Sequence, residues 1–351
     1  RHSPQWRASR VDAVVKTPDP DAQVSAPRGI PRPPRYETRE AVPDFSAAVA
    51  PGGYLWWYVD AVSEDRREAL TLIVFVGSVF SPYYARARRT GLIDAEQHCA
   101  FNTILYGPGS RKRWSMTERS EKQLQRGKDY YHLGPSALEW DGQTLTAEID
   151  ERCVPFPRRM RGRIRVTPEA LTTHTLRLDH EGRHCWHPYA PLARVDVDFP
   201  SLGTRWSGHG YFDSNDGSEP LADGFSGWDW ARLRLDGGDC VVRYEAQEHG
   251  RQPHRLALRF TPDGEMHSEP VAAAATLPQT QIWRMPRSMP VASDPHRLRR
   301  TLEDTPFYAR SLIEAEIGDE RGTGIHESLS MNRFTQRWVQ TLLPFRMPRL
   351  A

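Results

Sequence analysis

Lysine is almost missing from this chain: Lys16, Lys112, Lys122 and Lys128 are the only ones, and arginine carries the rest of the positive charge. Acidic residues balance it to a net charge of +2 over 351 residues, so no strong field calls for nucleic acid. Cysteine is scarce too. Cys99, Cys153, Cys185 and Cys240 lie far apart with no CxxC, which reads as buried thiols in a reducing compartment, not a disulfide framework. Long apolar runs are lacking: the longest, Ala69 to Phe80, falls well short of the roughly 20 residues that span a bilayer. No secretory signal is visible, and a chain that begins at Arg1 leaves targeting open. GxSxG does not occur, which argues against the common serine hydrolases. His180-Glu181-Gly182-Arg183-His184 has the letters HExxH, but its Glu181-Gly182 is a turn signal where the zinc motif needs a helix. Gly107 to Lys112 lacks the Walker spacing and reads as a solvated basic turn.

What is present is mostly β pattern. Residues 1–44 are rich in Pro, Arg, Asp and Ala without a hydrophobic period, and read as a flexible arm. From there short apolar or alternating runs follow one another: Tyr54 to Asp60, Thr71 to Val76, His98 to Tyr106, Ser136 to Trp140, Thr144 to Asp150, Met160 to Val166 and Thr172 to Leu178. Turn signals such as Asp141-Gly142 and Glu181-Gly182 separate them, the mark of a barrel or sandwich. The pattern predicts two β domains, 45–220 and 221–351. Helical spacing is predicted over Thr301–Ile317 and Ser328–Leu343. In the second stretch Met331, Phe334, Trp338 and Leu342 would share a face flanked by arginines, as in a helix lying on a membrane or packed on a barrel.

The chemistry concentrates in Trp206-Ser207-Gly208-His209-Gly210-Tyr211-Phe212-Asp213-Ser214-Asn215-Asp216-Gly217. On a strand Tyr211 and Asp213 share one face and Phe212 takes the other. Asn215-Asp216-Gly217 would end that strand. An acid among aromatics suits proton delivery inside an apolar pocket, although an Asp capping a turn gives the same local pattern. A second cluster, Arg183-His184-Cys185-Trp186-His187, places His184 and Trp186 on one strand face. His180, His184, Cys185 and His187 give no obvious tetrahedral set, so no metal is expected. Asp216, Asp223 and Asp229 are rival acids. Asp229, between Trp228 and Trp230, is the strongest of them.

Five stretches together resemble the bacterial carotenoid 1,2-hydratases, also called hydroxyneurosporene synthases. They are Phe75 to Tyr84, His98 to Asn102, Arg113 to Arg119, Trp206 to Asn215, and Trp228-Asp229-Trp230. The likeness runs from about residue 45 to about residue 345. It implies a mainly β fold of two lipocalin-like antiparallel β-barrel domains with a helical C-terminal tail. It also implies cofactor-independent addition of water to the terminal double bond of acyclic carotenes such as neurosporene and lycopene.

That reaction needs an un-ionised acid at neutral pH, a surface that stabilises a tertiary cation, and one water. A free Asp titrates near 3.9 and would be ionised, whereas burial against aromatics holds its proton. The resemblance supports His184, Trp186, Tyr211 and Asp213 as one site. The expected roles are Asp213 as proton donor, Tyr211 as its hydrogen-bond partner, His184 as relay or water base, and Trp186 as cation-stabilising wall. Trp206, Phe212, Trp228 and Trp230 are expected to line the substrate site. An insoluble carotene implies peripheral contact with a membrane, on its cytoplasmic side, through the aromatic loop 81–89 and the basic tail. A carotenoid or lipid carrier, and a cyclase or isomerase on the same fold, are the alternatives.

Overall fold

The computed structural model describes residues 36–38, 40, 42–91, 93–109, 111–271, 274–290 and 296–350. Most of the arm reading, at 1–35, lies outside the described residues. Its last part does not stay loose: Tyr36–Thr38 is a strand paired antiparallel with His174–Arg177.

Six long strands build the half that matters here: β1 (Tyr54–Ser63), β2 (Ala69–Val76), β3 (Cys99–Tyr106), β4 (Lys112–Arg119), β5 (His184–Phe199) and β6 (Thr204–Gly217). They lie in the spatial order β4-β3-β2-β1-β6-β5 within a 14-stranded, almost wholly antiparallel sheet. From β5 that sheet continues through Arg159–Pro168 and Leu145–Arg152 to three short strands. β1 is buried along its whole length because both its faces are covered. Leu55, Trp57, Val59 and Ala61 enter a core enclosed by the large sheet, together with Tyr131, Leu138, Ile149 and Val195. Tyr54, Trp56, Tyr58 and Val62 face the other way, toward a second sheet.

The chain passes between the sheets over residues 218–224. The second sheet has seven strands, with β7 (Phe225–Leu235) and β8 (Cys240–Glu248) beside β9 (Tyr308–Ile317) and β10 (Glu320–Ser330). One face of β7, with Trp228 and Trp230, packs on the large sheet. Its other face, with Ala231 and Leu233, packs on the hairpin Ala274–Leu277/Arg287–Pro290.

Two helical expectations fail. Thr301–Ile317 is strand, not helix: His296–Asp304 and β9 pair antiparallel on either side of Pro306. The residues of β9 from Ala309 to Ala315 are all buried, so period-two alternation is erased, and pairing overrides the helix-forming Leu-Ile-Glu-Ala-Glu sequence. Ser328–Leu343 is not one helix either. β10 runs to Ser330, then α2 (Met331–Phe334) and α3 (Arg337–Leu342) follow, broken at Gln336, whose backbone is extended. The break splits the supposed apolar face. Met331 and Phe334 are buried, while Trp338 and Leu342 are about half exposed. Among the described residues no helix is long and apolar enough to cross a membrane.

Candidate active site

Strand register lays the site out in rows. Asp213, Tyr58, Ile73, Asn102 and Met116 sit opposite one another across β6, β1, β2, β3 and β4. The next row along the strands is Tyr211, Asp60, Thr71, Ile104 and Trp114, and on the other side come Asn215, Trp56, Phe75 and Ala100. Period two keeps these rows on the face that meets the second sheet. Between the sheets lies a cavity of about 280 Å³, lined by Trp56, Tyr58, Ile73, Phe75, Asn102, Trp228, Phe307 and Glu327 among others. Trp283, Leu342 and Arg346 line it too. Asp213 stands behind Tyr58, its cross-strand neighbour, and is not itself on the cavity wall.

Asp213 is 4% exposed. Its Oδ2 accepts hydrogen bonds from Tyr211 Oη and Trp186 Nε1, each at 2.7 Å. Its Oδ1 is buried and has no hydrogen-bond partner among the described residues. Loss of solvent pushes the carboxyl up to about 8 against the pull of those two donors, with the Glu327 and Asp60 charges adding to the rise. The proton therefore sits on Oδ1, since Oδ2 already accepts twice. Trp230 packs edge-on against both Tyr211 and Tyr58, with ring centroids 5.3 and 5.7 Å apart.

The local sequence explains how Trp186 reaches this carboxyl. β5 carries Pro188 and Pro191, which cannot donate to a ladder. The β5–β6 register shifts between His187 and Ala190 and again between Ala190 and Ala193. These irregularities lie beside Asp213, where a bulge re-aims side chains. Trp186 is thus fully buried and acts as a hydrogen-bond donor to the acid, not as a wall of the cavity.

A buried charged group at the same end was not anticipated from sequence. Arg232 pairs with Asp60, and Arg310 pairs with Glu327 while lying 3.7 Å from Asp60 Oδ2. Tyr58 Oη lies 2.9 Å from both Asp60 Oδ2 and Glu327 Oε1 and accepts from Arg310 Nη1 at 2.8 Å. Both arginines are essentially unexposed. Glu327 is held above the usual carboxylate range by burial, with Arg310 opposing. A faint signal exists: Asp60, Arg232 and Arg310 each stand two residues after a buried or half-buried aromatic, Tyr58, Trp230 and Tyr308, hence on the same strand face.

Other expected residues fall elsewhere. His184 does not touch Asp213. Its Nδ1 is 2.8 Å from Tyr54 Oη and its Nε2 3.2 Å from Glu219, with Phe225 against the ring. Burial lowers its pKa, opposed by Glu219. Glycine is required around it: a Cβ at Gly217 would come within 2.7 Å of Nδ1, and one at Gly224 within 2.5 Å of Nε2. His184 is opposite Gly217 and so roughly 14 Å along β6 from Asp213 at about 3.4 Å per residue. The relay role expected of it has no contact to work through. Trp206 and Phe212 are also misplaced by the expectation, because even-numbered positions of β6 face the enclosed core of the large sheet. Trp228 does line the cavity, and Trp230 backs Tyr58.

Asp229 points away from the cavity side, bonded to Ser288 and Ser328, with burial raising it to about 6. Asp216 is in the β6 ladder, 2.5 Å from His187 Nε2, so Asn215-Asp216-Gly217 belongs to the strand and the turn comes after it. Asp223 is exposed in a one-turn helix. His180 pairs with Glu248, and no group of three or more His, Cys, Asp or Glu among the described residues is placed to hold a metal.

Residues 72–351 match the family described as carotenoid hydratase CrtC. The chain is 49% identical over 310 residues to the acyclic carotenoid 1,2-hydratase of Thiocapsa roseopersicina, covering 88% of this chain and 76% of that one. It is 46% identical over 312 residues to the enzyme of the same name from Rubrivivax gelatinosus, with 88% and 76% covered. Among solved structures an AttH-like protein from Nitrosomonas europaea superposes with a TM-score of 0.54 at 14% identity, over 78% of this chain and 91% of that one, a likeness of fold alone.

Proposed function

The chain belongs to the carotenoid hydratase family, and from that premise we propose that it adds water across the terminal 1,2 double bond of an acyclic carotenoid such as neurosporene or lycopene, with Asp213 as the acid. The observation that carries this reading is the carboxyl of Asp213, un-ionised to about pH 8 and free at Oδ1, next to an aromatic cavity. The end of the polyene enters between the sheets. Tyr58 stands between Asp213 and the cavity, so the polyene end has to pass its ring to reach the acid. There Asp213 gives its proton to the CH carbon, and the positive charge develops at the carbon bearing two methyls. The faces of Trp56, Tyr58 and Trp228 stabilise it by about 0.5–2 kcal/mol each and offer no nucleophile. Tyr211 and Trp186 keep their hydrogen bonds to Oδ2 while the carboxylate exists, which makes those bonds stronger at that moment. Water then closes on the cation. The scheme needs no cofactor.

Oxygen-18 water tests this reading. Hydration puts the label in the product alcohol with the mass gain of one water. A stable coloured complex of unchanged mass would make the protein a carrier. A ring or shifted double bond without label would make it a cyclase or isomerase.

The membrane belongs to the same proposal, with one change of address. In α1 (Pro82–Thr90) the aromatics turn inward: Tyr84 is buried with its hydroxyl on Gly53 O, and Tyr83 bonds Met347 O. Outward-facing apolar surface gathers instead at Ile282, Trp283, Trp338, Leu342 and Phe345, with Trp283 stacked on Trp338 at 5.6 Å. Trp283 and Leu342 belong at once to this patch and to the cavity wall, and Arg333 and Arg346 flank it. We place the lipid surface here, at the cytoplasmic face of a membrane, so that a carotene passes from bilayer to cavity without meeting water. Replacing Ile282 and Phe345 together by Glu is expected to weaken flotation with anionic vesicles by about tenfold or more, since each apolar side chain is worth roughly 1.5–3 kcal/mol when buried. Unchanged flotation would remove this patch from the proposal.

A further inference from the structure

Hydration needs a second group. Once the CH carbon is protonated, Asp213 is a carboxylate and the attacking water must lose a proton as its oxygen bonds the cationic carbon. His184, the sequence-level candidate, is walled off by Tyr54, Glu219, Gly217 and Gly224. Of the four charged side chains gathered at this end, Asp60, Arg232 and Arg310 are off the cavity wall and essentially unexposed. Glu327 is on the wall, and its side chain is 12% exposed.

We propose that Glu327 holds the attacking water in the cavity and accepts its proton. The inference rests on the hydration reading above. Geometry supports it in three ways. First, Glu327 Oε1 is anchored by Arg310 Nη1 and Tyr58 Oη, so the carboxylate cannot swing away and is a poor nucleophile toward the cation. It can still accept a proton. Second, Tyr58 is the cross-strand neighbour of Asp213, so the anchor of the base and the acid share one row of the large sheet. Third, the two carboxyls differ in their partners. Burial raises both, but Asp213 has no cation against it, whereas Glu327 carries a buried arginine that opposes the rise and favours its ionised form. The step balances. The C–O bond forms from a water lone pair, one O–H bond of that water breaks, and its proton goes to the Glu327 carboxylate. The cycle closes when that proton returns to Asp213.

Glu327→Gln tests the assignment in D2O, because Gln keeps the shape and an acceptor for Arg310 but is no base. Expected is a loss of 1-hydroxy product of about 10²-fold or more. The recovered carotene should still gain deuterium, because Asp213 goes on forming the cation and the cation falls back to alkene by shedding a proton. Glu327→Asp should recover part of the hydration. Near wild-type hydration by Glu327→Gln would overturn the assignment. So would loss of deuterium wash-in together with hydration in a variant whose melting transition is intact, since Glu327 would then serve the protonation or only the packing of Arg310. The hydration reading fails by a different sign: wild-type product without deuterium at the protonated carbon.

Discussion

Asp213→Asn is expected to cut hydration by about 10³-fold or more while making the folded protein more stable in alkaline solution. The two effects have one cause. Asn fits the same space and presents an oxygen to Tyr211 and Trp186 as Oδ2 does now, but it has no acidic proton. The stability sign follows from the raised pKa. An unfolded Asp ionises near 3.9, whereas Asp213 in the fold holds its proton to about 8. Between those values the unfolded chain binds fewer protons than the folded one, so this group's contribution is fully present below pH 4 and is lost as pH rises to about 8. The slope is about 1.4 kcal/mol per pH unit, several kcal/mol across the window. The Asn variant lacks that slope. Denaturant melts at pH 4 and pH 8.5 should bring wild type and variant close together at the lower pH and part them at the higher, with the variant ahead. Wild-type turnover should in turn fall as pH passes through about 8. Retained turnover in the variant would place the acid elsewhere, and parallel stability curves would mean that Asp213 is ionised in the fold.

How much of this was readable beforehand depends on whether an interaction is local. Tyr211 and Asp213 are two apart on a strand, and alternation alone places them on one face, where their side chains do meet. The same rule puts Phe212 on the other face, which is where it lies, so its assignment to the substrate site contradicted the alternation already read. The Trp186–Asp213 bond spans 27 positions and depends on register shifts beside two prolines, which no local pattern encodes. The charged group was hidden for a stronger reason. A charge inside a strand reads as a solvent-facing position until its partner strand is known. Arg232 finds Asp60 across 172 positions and Arg310 finds Tyr58 across 252. The helix expected over Thr301–Ile317 failed for the converse reason: a strand covered on both faces loses the alternation that marks strands.

The charged group should also dominate the stability of the contact between the sheets. Arg310→Met is expected to destabilise the fold by about 3–5 kcal/mol, because it leaves Glu327 without a cation in a place where water is scarce. A shift of roughly 4–7 °C in melting temperature is the corresponding scale for a chain of this length. The cost is not that of a lost ion pair. A buried pair nearly cancels its own desolvation, and the large term is the charge left behind. Arg310→Met combined with Glu327→Gln should therefore regain most of what Arg310→Met alone loses, although it removes more polar contacts. Asp60 remains paired with Arg232 in both variants and serves as the internal control. If the double variant is as unstable as the sum of the two single ones, the arginine is holding something other than Glu327. If it recovers, the protein maintains a costly buried carboxylate on its cavity wall when an amide would be tolerated there, and the use for that carboxylate is chemical.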